Sequence, residues 1–108
     1  MPAEGKKRAA HRALVNRILG GPGRTSPDQR SGAFGNAGVD PAVQPLIDKV
    51  AHEPTRITDA DFAAARAAGL SEDQIFELVV AAAVGQSTRM YEVGLAALAE
   101  ASGDGLAH

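Results

Sequence analysis

The stretch from residue 71 to residue 101, SEDQIFELVVAAAVGQSTRMYEVGLAALAEA, constrains this chain more than any other. Its middle, residues 78–84, is seven apolar residues in a row, the longest such run in the protein. A helix that is apolar on every side must be enclosed by other protein. The run falls well short of the roughly 18–20 residues that span a bilayer. The expectation is therefore a central buried helix with the rest of the chain wrapped around it.

Local signals frame that helix. Thr58 precedes a helical pattern with Asp61 three residues on, and Ile57 can pack on Phe62 as a staple. This predicts a helix over 59–68, closed by Gly69 in a left-handed stop with Leu70 beside it. Ser71 then caps the long helix, Gln74 completes a capping box, and Leu70 can staple to Ile75. After Val84, the polar, glycine-bearing Gly85-Gln86-Ser87-Thr88-Arg89 predicts a bend or break. Periodicity resumes through Met90, Tyr91, Val93, Leu95 and Leu98 and ends at Ser102-Gly103.

Upstream, residues 1–8 read as a flexible basic tail. A helix is expected from 9 to 19, with Leu14, Val15, Ile18 and Leu19 as its apolar stripe. Gly20-Gly21-Pro22 stops it. The GGPGRTS segment, residues 20–26, invites comparison with a phosphate-binding loop, but that loop needs G-x4-G-K-[ST] after a strand. Here the spacing differs, Arg24 replaces the lysine and a helix precedes, so a turn suffices. Ser26 through Gln29 carries a capping-box signature for a short helix. Glycines 32, 35 and 38 make 30–39 the loosest interior segment, with Phe34 pinning it to the body.

Asp40-Pro41 opens another helix, running to about His52 with Val43, Leu46, Ile47 and Val50 on one face and Pro45 in its first turn. Pro54 ends it. His11 is expected to be partly exposed without a partner, and His52 suits a helix C-terminus. The fold class is all-α: a small helical bundle forming one domain over 9–101, followed by a C-terminal tail over 102–108.

Composition sharpens this. Among 108 residues there are three Phe, one Tyr and no Trp, so the core must rest on Leu, Ile, Val and Ala. Small side chains bury little area each, and at roughly 25 cal/mol per Å² a lone monomer is marginal. Association into a homo-oligomer is the natural remedy. The absence of cysteine excludes disulfides, thiol nucleophiles and zinc–thiolate sites. No cofactor or metal site is indicated, and no hydrophobic segment follows the basic N-terminus to serve as a secretion signal. The reading is a soluble, cytoplasmic protein without membrane association. The net charge of −2 divides unevenly: residues 1–24 carry six basic groups against one acidic, the other 84 five against twelve. Such asymmetry suits an arm for an acidic partner, or an arm packed on its own acidic body.

The pattern AARAAGLSEDQIFELVVAAAVGQSTRMYEVGLAAL resembles the alkylhydroperoxidase D-like / carboxymuconolactone decarboxylase superfamily over about residues 57–101. The short helix ending in AAGLSEDQI and leading into a long apolar helix carries part of the resemblance. The rest is spacing: redox members have E-x11-C-x2-C-x3-H on that helix. From Glu77 the spacing lands on Arg89, Glu92 and Ala96, with Tyr91 where redox members often have an aromatic. The resemblance implies a small all-helical scaffold assembling as a trimer or hexamer. Only the glutamate is retained, so it implies no thiol chemistry.

The leading functional reading is a non-redox oligomeric module that serves as a scaffold, an interaction partner or a binder of a small ligand. An Arg89 flanked by Glu77 and Glu92 could hold a small anion or polarise a carbonyl. The plain alternative for these residues is an exposed salt bridge worth about 0–1 kcal/mol. A second reading is a lactone- or keto-acid-processing enzyme using Glu77, Arg89, Tyr91 and Glu92. A third is binding of a polyanion by the basic arm. Overall acidity and the lack of aromatics among the basic residues weigh against nucleic acid.

Overall fold

A computed structural model of the chain describes residues 2–103, with side chains described from 5 to 101; every regular element among them is helical. The elements are α1 (Pro2–Gly20), α2 (Pro27–Gly35), α3 (Gln44–His52), a 3₁₀ turn (Pro54–Arg56), α4 (Asp59–Ala67) and α5 (Glu72–Leu98), which runs into a π-helical turn (Ala99–Gly103). No described helix is long and apolar enough to cross a membrane.

The capping signals form as their residue types dictate. Ser26 and Ser71 each accept from the backbone N–H of the glutamine three residues on, and each glutamine side chain accepts from the serine N–H in return. At α4 the carboxylate of Asp61 accepts from both the N–H and the hydroxyl of Thr58. Gly69 takes the left-handed conformation at φ 98°, and Leu70 N–H reaches back to the Ala65 carbonyl.

Several expectations are corrected. The first helix begins at Pro2, so residues 2–8, read as a tail, are helical. Those turns lack an apolar stripe and are built from good helix formers such as Ala, Lys and Arg, which periodicity alone overlooks. Met1 and residues 104–108, the latter most of the expected C-terminal tail, lie outside the described residues. The segment 30–39 is not loose: α2 occupies most of it and buries Arg30 and Ala33. Asn36, not a glycine, adopts the left-handed cap at φ 54°. The helix after Asp40 starts later than expected, at Gln44. Residues 41–43 form a turn first, and Pro45 takes the first helical turn, where its missing N–H costs nothing.

The long helix has neither the expected break nor the expected full enclosure. It is uninterrupted through Gly85–Arg89. Its buried positions are Ile75, Leu78, Ala81, Ala82 and Gly85, against which α2, α3 and α4 pack. Val43, Leu46 and Ile47 are the largest fully buried side chains. The opposite face of α5 is bare. The reason is geometric: α2–α4 cover only one side, and α1 runs along a flank. The Cα radius of gyration of 16.5 Å exceeds the roughly 13 Å of a compact 108-residue domain.

Gly85 shows why the helix is not broken there. Its bare Cα lets the C-terminal end of α2 approach, so closely that a Cβ would overlap the Phe34 carbonyl oxygen. The glycine serves a backbone-to-backbone contact. Gly85→Ala is therefore expected to destabilise the fold by about 1–3 kcal/mol through overpacking. Gly5→Ala, which adds its methyl to open space on α1, should be neutral to slightly stabilising. Urea denaturation of both variants checks this; a Gly85→Ala midpoint equal to wild type would mean that α2 yields without cost.

Candidate functional site

The four residues singled out by spacing fall into three separate settings, and no hydrogen bond or ion pair joins Glu77, Arg89 and Glu92 to one another among the described residues. Glu77 projects from the second turn of α5 into the loop between α1 and α2. Its carboxylate accepts from Arg24 N–H at 2.7 Å, Thr25 N–H at 2.8 Å and the Thr25 hydroxyl at 2.6 Å. The glycine-rich segment thus does cradle an anion: the chain's own carboxylate. Gly23 makes room, because a Cβ there would stand 2.8 Å from a Glu77 carboxylate oxygen.

This surrounding holds the Glu77 carboxyl below its ordinary range. The Arg24 N–H contributes most and the Thr25 hydroxyl next, against some desolvation, with the Thr25 N–H and the charge of Arg30 adding to the lowering. Arg30 is buried at the base of the same loop. It donates to the carbonyls of Ile18 at 3.0 Å, Gly21 at 2.7 Å and Thr25 at 3.3 Å, satisfying carbonyls at the end of α1 that have no helical partner.

Arg89 is equally committed. It donates to the Phe34 carbonyl at 2.7 Å, capping the C-terminus of α2, while two of its nitrogens meet Gln86 Oε1. Ala96 lies exposed on the outer half of α5 and offers no functional group.

Tyr91 and Glu92 have a different environment, a groove of about 520 Å³ between α1 and the C-terminal half of α5. Arg8, His11, Arg12 and Val15 line one wall, and Thr88, Tyr91, Glu92 and Leu95 the other. The α1 residues share one face because they are spaced three and four apart. His11, expected to lack a partner, has two. Its Nε2 lies 2.9 Å from Thr88 Oγ1, and its ring sits 5.2 Å from that of Tyr91 at an interplanar angle of 36°. The Thr88 hydroxyl also lies 2.7 Å from the Val84 carbonyl, to which it donates, leaving its oxygen lone pairs toward His11 Nε2. Arg8 and Arg12 have no hydrogen-bond or ion-pair partner among the described residues.

Sequence reasoning did not find this groove. His11 and Thr88 are 77 positions apart, and no local pattern couples them. The one available signal was the Arg8/His11/Arg12 spacing, which the reading of residues 1–8 as a tail divided. No group of His, Cys, Asp or Glu suited to a metal ion occurs among the described residues. Comparison with protein-family models, with curated proteins and with solved structures returns no match for the chain.

The sign of the Glu77 shift yields a prediction. A carboxyl whose folded pKa is depressed stabilises the fold above its unfolded value and loses that contribution as pH falls through the folded one. At neutral pH, Glu77→Gln is expected to cost about 1.5–3 kcal/mol by weakening charge-assisted bonds to two backbone donors. That difference from wild type should shrink as the solution is acidified below the ordinary carboxylate range. Asp61 is held low in the same direction, first by Thr58 N–H and then by Lys49, so the wild-type-minus-variant difference, not the raw curve, is the measurement. A difference constant from pH 7 into the acid range would show that the Glu77 charge does not hold the loop.

Proposed function

We propose that this protein is a non-redox helical binding module whose site is the groove between α1 and α5, and whose ligand is a small organic anion. The observation that carries the reading is the pair Arg8 and Arg12. Two like charges one helical turn apart cost an isolated helix roughly 0.2–0.5 kcal/mol, and here both line a groove in which, among the described residues, neither forms an ion pair, Glu92 on the facing wall included. An anion between them removes that repulsion and gains charge-assisted hydrogen bonds. The tilted His11–Tyr91 ring pair supplies aromatic surface across the groove, and Val15 and Leu95, one on each wall, supply apolar surface. Glu92 on the opposite wall favours a ligand that also carries a hydrogen-bond donor, such as a hydroxy acid.

The resemblance to the alkylhydroperoxidase D-like superfamily fits this reading as a likeness of scaffold. The chain keeps a short helix leading into a long one, and a glutamate at Glu77, but has no cysteine for thiol chemistry. The enzymatic alternative called for Glu77, Arg89 and Glu92 in one pocket, and two of these are occupied by backbone groups.

Calorimetric titration at low salt with inorganic phosphate and a panel of small hydroxy acids tests the proposal. At least one is expected to bind, with affinity falling about tenfold or more in Arg8→Ala/Arg12→Ala and weakening as salt is added. Tyr91, the only tyrosine in a chain without tryptophan, gives a fluorescence readout of the same site. Absence of binding across the panel, or binding indifferent to the double substitution, refutes the assignment. Tight binding of a single-stranded oligonucleotide with no small-anion binding would replace it with the polyanion reading of the basic helix.

A further inference from the structure

The bare face of α5 is patterned. Positions 76, 80, 83, 87, 90, 94, 97 and 101 recur at alternating intervals of four and three, the heptad spacing that keeps a seam aligned along a helix. All are exposed except half-buried Val80. Phe76 is 67% exposed and Met90 64%, and Val93 and Leu98 beside the seam are 69% and 58% exposed. Between residues 78 and 99, neither the seam nor the positions flanking it carry a charge. Arg89 and Glu92, the charges in that span, fall on other faces, Arg89 tied to Phe34 and Glu92 in the α1 groove.

We propose that α5 pairs antiparallel with α5 of a second copy of this chain along this seam, forming a two-fold dimer. Size complementarity argues for a second copy. In one antiparallel register Phe76 lies opposite Ala101 of the second copy, Val80 opposite Ala97, Met90 opposite Ser87, and Ala83 opposite Gly94. Each bulky seam residue meets a small one, and the two-fold axis repeats all four pairings. Large facing small is the arrangement that fills space evenly, and self-complementarity of one patch is what an isologous interface requires. A parallel pair would set Phe76 on Phe76 and Met90 on Met90, with Ser87 on Ser87 and Gly94 on Gly94 between them, so bulky and empty layers would alternate.

Charge at the ends selects the same orientation. The contacts of His11 with Thr88 and Tyr91, and of the following loop with Glu77, run α1 antiparallel to α5. The exposed Lys6 and Lys7 therefore lie toward the C-terminal end of α5, where Glu100 is the exposed acid, while exposed Glu72 and Asp73 stand at its start. An antiparallel pair brings the basic end of each copy to the acidic end of the other; a parallel pair joins like to like. The α-helical part of the seam, residues 76–97, is about 32 Å long at 1.5 Å per residue. A strip of that length and one helix wide places the contact at the small end of specific interfaces, which bury roughly 1,200 Å² or more. The inference is independent of the ligand assigned to the α1 groove.

Because the chain has no cysteine, introduced thiols report the geometry cleanly. Val80→Cys/Ala97→Cys is expected to form an intermolecular disulfide on mild oxidation, and Ala97→Cys alone is not. Sedimentation equilibrium of the full chain should give twice the 11.1 kDa protomer mass. Gly94→Glu, which meets open space in the protomer and replaces a helix-interior glycine with a better helix former, should weaken the dimer about a hundredfold or more by burying a charge. Its circular dichroism should retain the helical signal, so lost association cannot be ascribed to unfolding. A monomeric wild type, cross-linking by Ala97→Cys alone, or a dimer or higher oligomer unaffected by Gly94→Glu would each overturn the proposal.

Discussion

The arrangement depends on one carboxylate. Glu77 accepts three hydrogen bonds from residues 24 and 25, and directly beneath it buried Arg30 gathers three carbonyls from the end of α1 and the same loop. Two of the loop's N–H groups thus turn to an anion and two of its carbonyls to a cation, so a segment rich in glycine and proline is held in place without regular structure. The consequence reaches further than the loop. Together with Ile18 packed on the core and His11 against Thr88 and Tyr91, this anchoring of residues 21–26 fixes the direction of α1 along α5. The groove and the position of the basic residues inherit that direction.

The legible parts of the fold are those whose physics is local. Ser26, Thr58 and Ser71 begin helices because a short oxygen-bearing side chain satisfies a donor within three residues, and Gly69 ends one because it tolerates positive φ. Those features are spelled out in consecutive letters. Gly85 is the counterexample. By composition it reads as a helix weak point, yet the helix continues because α2, 51 positions earlier at Phe34, requires a residue without a side chain there. Arg89 follows the same logic, its role set by the Phe34 carbonyl and not by its neighbours in sequence. Likewise, the run 78–84 announces that apolar surface must be covered, but periodicity does not say by what. One face is covered by this chain, and the other faces outward.

The candidate site divides along the same line. Glu77 stood out in the sequence through its place in the spacing of the resemblance, but its donors sit more than fifty positions upstream. That spacing therefore said nothing about what Glu77 touches here. The groove was invisible for the opposite reason: each of its residues is ordinary alone, and only the antiparallel course of α1 assembles Arg8, Arg12, His11 and Tyr91.

Two glycines on one helix summarise how α5 is used. Gly85 and Gly94 lie on nearly opposite faces at helical spacing, and both are poor choices for helix stability alone, each costing roughly 0.5–1 kcal/mol relative to alanine. At Gly85 the cost is offset by a backbone contact no other residue permits. At Gly94 no atom of the described residues would meet an added Cβ within 4 Å, so no compensating contact occurs among them. A helix that keeps Ala83, Ser87, Gly94 and Ala97 among Phe76, Val80 and Met90 on a charge-free face has the composition of a packed seam, not of a solvated surface. The small core points the same way, since Leu46, Ile47 and Val43 are its largest fully buried side chains. A chain of this length gains most by placing its remaining apolar area where another helix can reach it. Glu77 and Arg89 hold α5 to its own chain, and the opposite face is the one proposed to meet a second copy.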